Sequence, residues 1–514
     1  MKNLICFFML YPFFLFSQEP VVEWAKTFGG SKTESANSIA VTQDNKYLIV
    51  GHTGSSDGDR TSSSRGSSDV WLLKLDENGI ILWQKCYGGS GGESMQSITQ
   101  TLDNGFIMVG STGSTDGDVT ENKGSADAWI IKIDSVGIIQ WQKTIGGSNV
   151  ELTGNIFQTR NGDYILGLSS KSNDKDFSIN KGGYDMWVVK LNNQGNILWK
   201  KNFGGTKDDF ISEIVNIDDK TFAIAGKTDS EDGDMLGAWG DFSIKMDSSG
   251  NIVWKKSFGY PNDSLRGLKE FDAITMSKND IVSVGMKIVT FGIPDPVPYT
   301  WDLLITKSDT AGNRKWSKLF GGSRTEAATS VKSFSNGDLL VTGYAQSNDG
   351  DVHDNHGGID FWVLRLDSLG NLKNANCYGG SKEDQAYYSV IDKKGNVLVV
   401  GFSWSVDGTF SQNKGLTDWA VIKLNYGTTN TKEFIHKEYD ITEYPNPVTD
   451  KLIIQISSKI SPNLSMYDIT GKLVHHLDNL EPLTIINMAM FPKGFYLLTY
   501  QIDNQYISKK IVKM

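Results

Sequence analysis

Trp83-Gln84-Lys85-Cys86-Tyr87-Gly88-Gly89 decides the fold, because the chain repeats it. Related heptads begin at Trp24 (WAKTFGG), Trp141 (WQKTIGG), Trp199 (WKKNFGG), Trp254 (WKKSFGY) and Trp316 (WSKLFGG). A seventh, NANCYGG, begins at Asn374, where the tryptophan is lost. Successive copies start 59, 58, 58, 55, 62 and 58 residues apart. A period of this length belongs to a fold built by stacking one supersecondary unit on the next.

Each period reads as four short strands. In the second unit, 94–101 is a first strand, Asp103-Asn104-Gly105 a hairpin turn, and 106–111 a second strand. A polar loop, 112–126, leads to a third strand (127–134, DAWIIKID), a Ser135-Val136-Gly137 turn and a fourth strand (138–144). Asn-Gly and Asp-x-x-Gly turns between β-branched runs are strong hairpin signals. The second strands (YLIV, FIMV, VLVV) and third strands (WLLKL, WIIKI, WVVKL, WVLRL) are apolar on both sides. Such strands must be covered on both faces. Seven four-stranded units of this kind predict an all-β fold, a seven-bladed β-propeller. The region opens with a lone fourth strand (21–27, VVEWAKT) and ends after a lone third strand (418–424, DWAVIKL). Pairing the two completes the seventh blade from both ends of the domain, so an N-terminal strand closes the ring and no edge is left open.

The composition fits. Glycine is abundant (54), proline scarce (11), and 39% of residues are hydrophobic, which describes a turn-rich globular chain with enough apolar material for a core. A net charge of −10 without clustered Lys or Arg excludes a nucleic-acid-binding surface. Residues 1–17 have one early lysine, an apolar run and a small Ser17 at the expected cut, as in a secretory signal peptide. No later segment is long and apolar enough to be a transmembrane helix. Cys86 and Cys377 occupy equivalent positions in different units, too far apart to bridge, so free thiols are expected.

The blade pattern DNG-FIMVGS…DAWIIKIDSVGIIQW resembles the tryptophan-docking repeat of the pyrroloquinoline-quinone dehydrogenases and their non-catalytic relatives, over residues 21–425. The resemblance implies that the fourth-strand tryptophans are structural and lock one blade onto the next; they are expected to be core residues. An adjacent cysteine pair and an eighth blade are missing, so the likeness supports the fold and no quinone cofactor is expected. After Tyr426 the repeat stops, and 426–439 reads as a polar linker. Alternating strands then predict a small immunoglobulin-like β-sandwich. YPNPVTDKL, MYDITGKLV, GFYLLTY and the terminal KKIVKM, within 440–514, resemble the type A C-terminal sorting domain of the Bacteroidetes type IX secretion system. This implies recognition by the type IX secretion machinery, export across the outer membrane, removal of the domain, and release or surface attachment of the rest. The expected organisation is a signal peptide at 1–17, a propeller at 18–425, a linker at 426–439 and a sorting domain at 440–514.

In such a blade the tight hairpins lie on one face of the ring, and the long loop and the Gly-Gly connection on the other. Two acidic motifs therefore share the second face. Gly-Gly-x-x-x-acid supplies Glu34, Glu93, Glu151, Asp209, Glu326 and Asp384; Asp-Gly-Asp occurs at 57–59, 116–118, 232–234 and 349–351. These carboxylates either hold loop amides or bind Ca²⁺, the one cofactor ion the sequence puts forward. Asp349, Asp351, His353 and His356 form the single metal-like cluster, set against the alternative of a solvated loop. No nucleophile elbow or phosphate-cradling loop is present.

The tryptophans say more. Of 14, six occupy the fourth-strand position and five the third strand, leaving Trp239, Trp301 and Trp404 in or beside the long loops. The fifth unit replaces Asp-Gly-Asp with KIVTFGIPDPVPY (287–299), adding Phe291 and Tyr299. Repeats built alike must differ somewhere to bind something asymmetric, so these five aromatics are the candidate ligand residues, the alternative being that they cap their loops. The expected function is a secreted or cell-surface binding module for a glycan or protein ligand. The rivals are a polysaccharide-degrading hydrolase or lyase on the same scaffold, and a purely structural adhesin.

Overall fold

The computed structural model describes residues 19–514 apart from 238–239, 258–270, 290–299, 427–440, 457–461, 469–471 and 503–504. The expected signal peptide and, Tyr426 apart, the expected linker lie outside the described residues. The chain divides into two compact units, Met1–Gly427 and Thr428–Met514.

Among the described residues, the first unit holds seven four-stranded antiparallel sheets. The second blade runs Glu93–Gln100, Phe106–Thr112, Asp127–Ile133 and Ile139–Ile145. Its last hairpin shows why the turn recurs: Asp134 Oδ1 accepts the amides of Val136 (3.0 Å) and Ile138 (2.8 Å). The side chain thus satisfies turn amides that no strand can reach.

The apolar strands bury both faces against neighbouring sheets. One core cluster joins Val50 and Leu72 of the first blade to Met108, Trp129 and Ile131 of the second. Equivalent clusters lie at each following junction. The last joins Tyr47, Ile49 and Trp71 of the first blade to Leu398, Val400 and Trp419 of the seventh. The sheets therefore form a closed ring. Its closing strand, Val21–Phe28, pairs antiparallel with Asp418–Asn425, with Val21 opposite Asn425 and Phe28 opposite Trp419. Cys86 and Cys377 are free, as expected.

The fourth-strand tryptophans dock as the resemblance implies. Trp24, Trp83, Trp141, Trp199, Trp254 and Trp316 lie against Gly79, Gly137, Gly195, Gly250, Gly312 and Gly370, each the turn glycine of the next blade. Indole Nε1 of Trp24, Trp141 and Trp254 donates to the carbonyls of Glu77, Asn193 and Thr310 at 3.0, 3.1 and 3.0 Å. Gly79 has φ +72°, and a Cβ there would stand 3.1 Å from the Trp24 ring, so conformation and space both require glycine. These rings are half-buried, not core as expected. The fully buried ones are the third-strand Trp71, Trp129, Trp362 and Trp419. The loss of tryptophan at Asn374 also has a reason. The seventh blade takes its fourth strand from the N-terminus, so it has no third-to-fourth hairpin on which a ring could dock.

The seven first strands pack side by side around the axis of the ring. Each breaks register with its partner at the same rank, between Ala36 and Ser38 in the first blade and Ala386 and Tyr388 in the seventh. A β-bulge leaves an unpaired residue and re-aims its side chain. Repeated around a ring, it sends one rank of side chains toward the axis.

Candidate functional site

The acidic motifs hold the loops of the elaborated face. Glu34 is fully buried: Oε2 accepts the Gly30 amide (2.9 Å), while Oε1 accepts the Thr53 hydroxyl (3.0 Å) and the Ser55 amide (3.1 Å). Asp57 Oδ1 accepts the Ser31 amide (2.8 Å) and Asp59 Oδ2 the Gly29 amide (3.0 Å). The second blade repeats this with Glu93, Asp116 and Asp118 on Gly89, Ser90 and Gly88. The third blade keeps the geometry with Asp174 and Asp176, where Lys175 takes the glycine's place at φ +51°. A cation then ties each of several loops to the next blade: Lys123 to Asp176 (2.7 Å), Arg65 to Asp118, Lys181 to Asp234, and Lys414 to Asp59 across the closure. Of the two readings of these motifs, the loop-building one accounts for the contacts.

The His-Asp cluster is not brought together. Asp349 accepts the Ser323 amide (2.7 Å) and Asp351 the Gly321 amide (3.2 Å). His356 Nδ1 pairs with Asp360 at 2.7 Å, and His353 faces solvent. Among the described residues, no group of three or more His, Cys, Asp or Glu is placed to hold a metal ion.

Trp239, Phe291 and Tyr299 lie outside the described residues. Trp301 stands beside the long loop, as expected: it is the second residue of the strand Thr300–Asp309 and sits half-buried opposite Ile288, the middle strands of the fifth blade running to ten residues instead of the usual seven. Trp404 follows the second strand of the seventh blade; its amide donates to Glu383 O (2.9 Å) and its ring is 47% exposed. It stands at the mouth of a cavity that no sequence motif pointed to.

This cavity, about 800 Å³, lies on the axis of the ring. One rank of its wall is the bulge position: Asn37, Gln96, Gly154, Ser212, Thr329 and Tyr387. A second follows the second strands, with His52, Met286, Tyr344 and Phe402. Blades six and seven supply an aromatic arc in which the Tyr387 and Phe402 rings lie 5.6 Å apart. Blades one to three supply hydroxyls and amides. Deeper in, Glu213 of the fourth blade accepts the Ile274 amide on Oε2 (2.8 Å). Its Oε1 meets Tyr388 OH of the seventh blade (3.5 Å) and Lys332 Nζ of the sixth (3.8 Å), and that ammonium stands 4.1 Å over the Tyr388 ring. Burial works against the Lys332 charge, yet Tyr388 and Glu213 hold its pKa above the ordinary value. Burial depresses His52, against the pull of Glu34, and keeps its ring neutral at pH 7. Sequence reasoning missed this site because a bulge carries no residue signature. The available signal was the aligned first strands, ESANSI, ESMQSI, ELTGNI, DFISEI and EAATSV, whose fourth position differs in every copy.

The second unit packs a three-stranded sheet against a four-stranded one, with Leu452 and Ile454 meeting Leu464, Met466, Leu498 and Tyr500 in one core. Residues 442–514 match the secretion system C-terminal sorting domain. A sorting domain of the type IX system implies a secreted or cell-surface protein that engages that machinery. Among the described residues, no helix is long and apolar enough to cross a membrane. The chain is 23% identical over 432 residues to regulatory protein FlaEY of Caulobacter vibrioides; the match takes in 79% of this chain and 40% of that one, so the chain spans less than half of its relative's length. Among solved structures it is similar to the Pan2 WD40 domain of Neurospora crassa, with 10% identity, 76% and 90% coverage of this chain and that, and a TM-score of 0.43. Chaetomium thermophilum Raptor follows at 9%, 79%, 29% and 0.47, and an α-L-arabinofuranosidase of Fusarium graminearum at 10%, 64%, 91% and 0.38. The propeller assignment itself rests on the strand pairing and the closed ring of cores.

Proposed function

We propose that the protein is a binding module, secreted or held at the cell surface, whose propeller takes a glycan or protein ligand on its elaborated face near the axis. The observation that carries this is the distribution of difference among the repeats. Positions that build blades recur, whereas the two ranks facing the axis change from copy to copy and end at the exposed ring of Trp404. Exposed aromatics beside a concave polar surface are the usual anchors of recognition. The rival hydrolase or lyase needs carboxylates free to act as acid and base. Among the described residues two glutamates line the cavity: Glu34 is committed to Gly30, Thr53 and Ser55, and Glu213 to Ile274 and Lys332. That favours binding. A glycan and surface-protein array probed with the full chain and with Trp404→Ala tests the proposal: signals lost in the variant support it, and turnover of an arrayed polysaccharide contradicts it.

A further inference from the structure

We infer that the axial cavity is itself the ligand site and that it takes the end of a neutral glycan chain. This rests on the binding-module reading and adds where the ligand sits, what it is and how it enters.

The mode of entry follows from the floor. Glu213 and Tyr388 belong to the fourth and seventh blades, on opposite sides of the ring, and still come within 3.5 Å of one another, with Lys332 packed on the tyrosine. Side chains that meet across the axis close it. The cavity is therefore blind and opens on the elaborated face, where Trp404 stands. A polymer cannot thread it, so only a chain end fits.

Charge narrows the ligand. Among the described residues, three ionisable side chains of Asp, Glu, His, Lys or Arg type line the cavity, namely Glu34, Glu213 and His52. Glu34 is turned onto two amides and a hydroxyl, Glu213 faces Lys332, and His52 is neutral at pH 7. None of these three offers an uncompensated charge to an acidic or basic ligand, and burying such a ligand unpaired is costly.

Chemistry completes the inference. A sugar ring has an apolar face of C–H groups and an edge of hydroxyls. Tyr387, Phe402 and Trp404 give one arc of flat apolar surface. Gln96 and Gln385 line the cavity with amides whose side chains make no hydrogen bond among the described residues. An aromatic wall removes the C–H face from water, while amides exchange hydrogen bonds with hydroxyls and reject ligands that lack them.

The test is titration calorimetry of the full chain with cello-, xylo-, manno-, laminari- and maltohexaose, and with hexagalacturonate as the acidic comparator. At least one neutral hexaose is expected to bind, with one site per chain, so that longer chains of the same sugar titrate equally per mole and not per gram. Tyr387→Ala, Trp404→Ala and Gln96→Ala should each weaken binding by about 10-fold or more, with melting temperature held. Trp83→Ala, on the outer strand, should lower the melting temperature and leave affinity alone. Full affinity in all three cavity variants overturns the site while leaving the binding-module reading intact. Tighter binding of hexagalacturonate, stoichiometry that grows with chain length, or a panel in which no neutral hexaose binds overturns the ligand class or the mode of entry. Cleavage of a bound hexaose overturns the binding-module reading beneath them.

Discussion

The rings of Trp71 and Trp419 lie 4.6 Å apart, centroid to centroid, across the junction of the first and seventh blades. Residues separated by nearly the whole propeller are thus packed in one core, and the pairing of Val21–Phe28 with Asp418–Asn425 holds them there. Deleting 21–27 exposes an edge strand and opens that core. The truncated chain should melt well below the parent in calorimetry. Equal melting temperatures would mean that the ring does not depend on its closing strand.

The two classes of tryptophan should differ in cost. Trp129 is fully buried, and Trp129→Ala should destabilise by about 3–5 kcal/mol. Trp83 is half-buried against the next blade's turn, so Trp83→Ala should cost clearly less. Gly137→Ala should also destabilise, by about 1–3 kcal/mol, because φ is +83° and the new Cβ would lie 3.0 Å from Lys85. Denaturant melts of the three variants check the order; a Trp83→Ala loss equal to that of Trp129→Ala would contradict it.

Acidification should stabilise the propeller between pH 8 and pH 5.5. Burial pushes Glu151 up to about 7 and Asp302 and Asp418 up to about 6, and raises Asp127, Asp185, Asp209, Asp360 and Asp384. The same third-strand aspartates, Asp127, Asp185, Asp302, Asp360 and Asp418, each bury an Oδ1 with no hydrogen-bond partner among the described residues. With folded values raised, the native state keeps protons that the unfolded chain has released, so this stability is full below the unfolded values and is lost as pH rises through 6 to 7. Melting temperature should therefore fall from pH 5.5 to pH 8, and Glu151→Gln should shrink the change. A flat profile in the parent would show that these carboxyls are not strained by burial.

Removing divalent cations should leave the melting temperature unchanged, because the Asp-Gly-Asp carboxylates are engaged by amides and by the preceding blade's lysine or arginine. Asp59→Ala should lower it, since Gly29 and Lys414 both lose a partner. A large drop on adding EDTA to the parent would instead assign the loops to an ion.

The secreted form should lack the sorting domain, reckoned from its match at 442–514. Intact mass spectrometry of the exported protein checks this; Met514 retained on the surface form would contradict removal while leaving export standing.

Much of this architecture was legible because repetition writes the same constraint many times. Strands apolar on both sides demanded neighbours, and two orphan strands demanded each other. Asn374, an irregularity in the sequence, became intelligible once the seventh blade proved to lack the turn that the other tryptophans meet. The ligand side was harder to read for the opposite reason. Gln96 and Tyr387 face the axis because a bulge turns them there, and a bulge follows from strand register more than from residue type. Trp301 stands beside its loop as read, but the length of the fifth blade's strand, which pairs it with Ile288, has no residue signature.

Hydrogen–deuterium exchange on the full chain, with and without the strongest array ligand, tests the central claim most directly. Binding at the axis should protect the first-strand segments 34–39, 93–98 and 384–389 together with 402–404, and leave the outer fourth strands unchanged. Protection confined to the fourth strands or to the hairpin face, with those segments unaltered, would contradict the account.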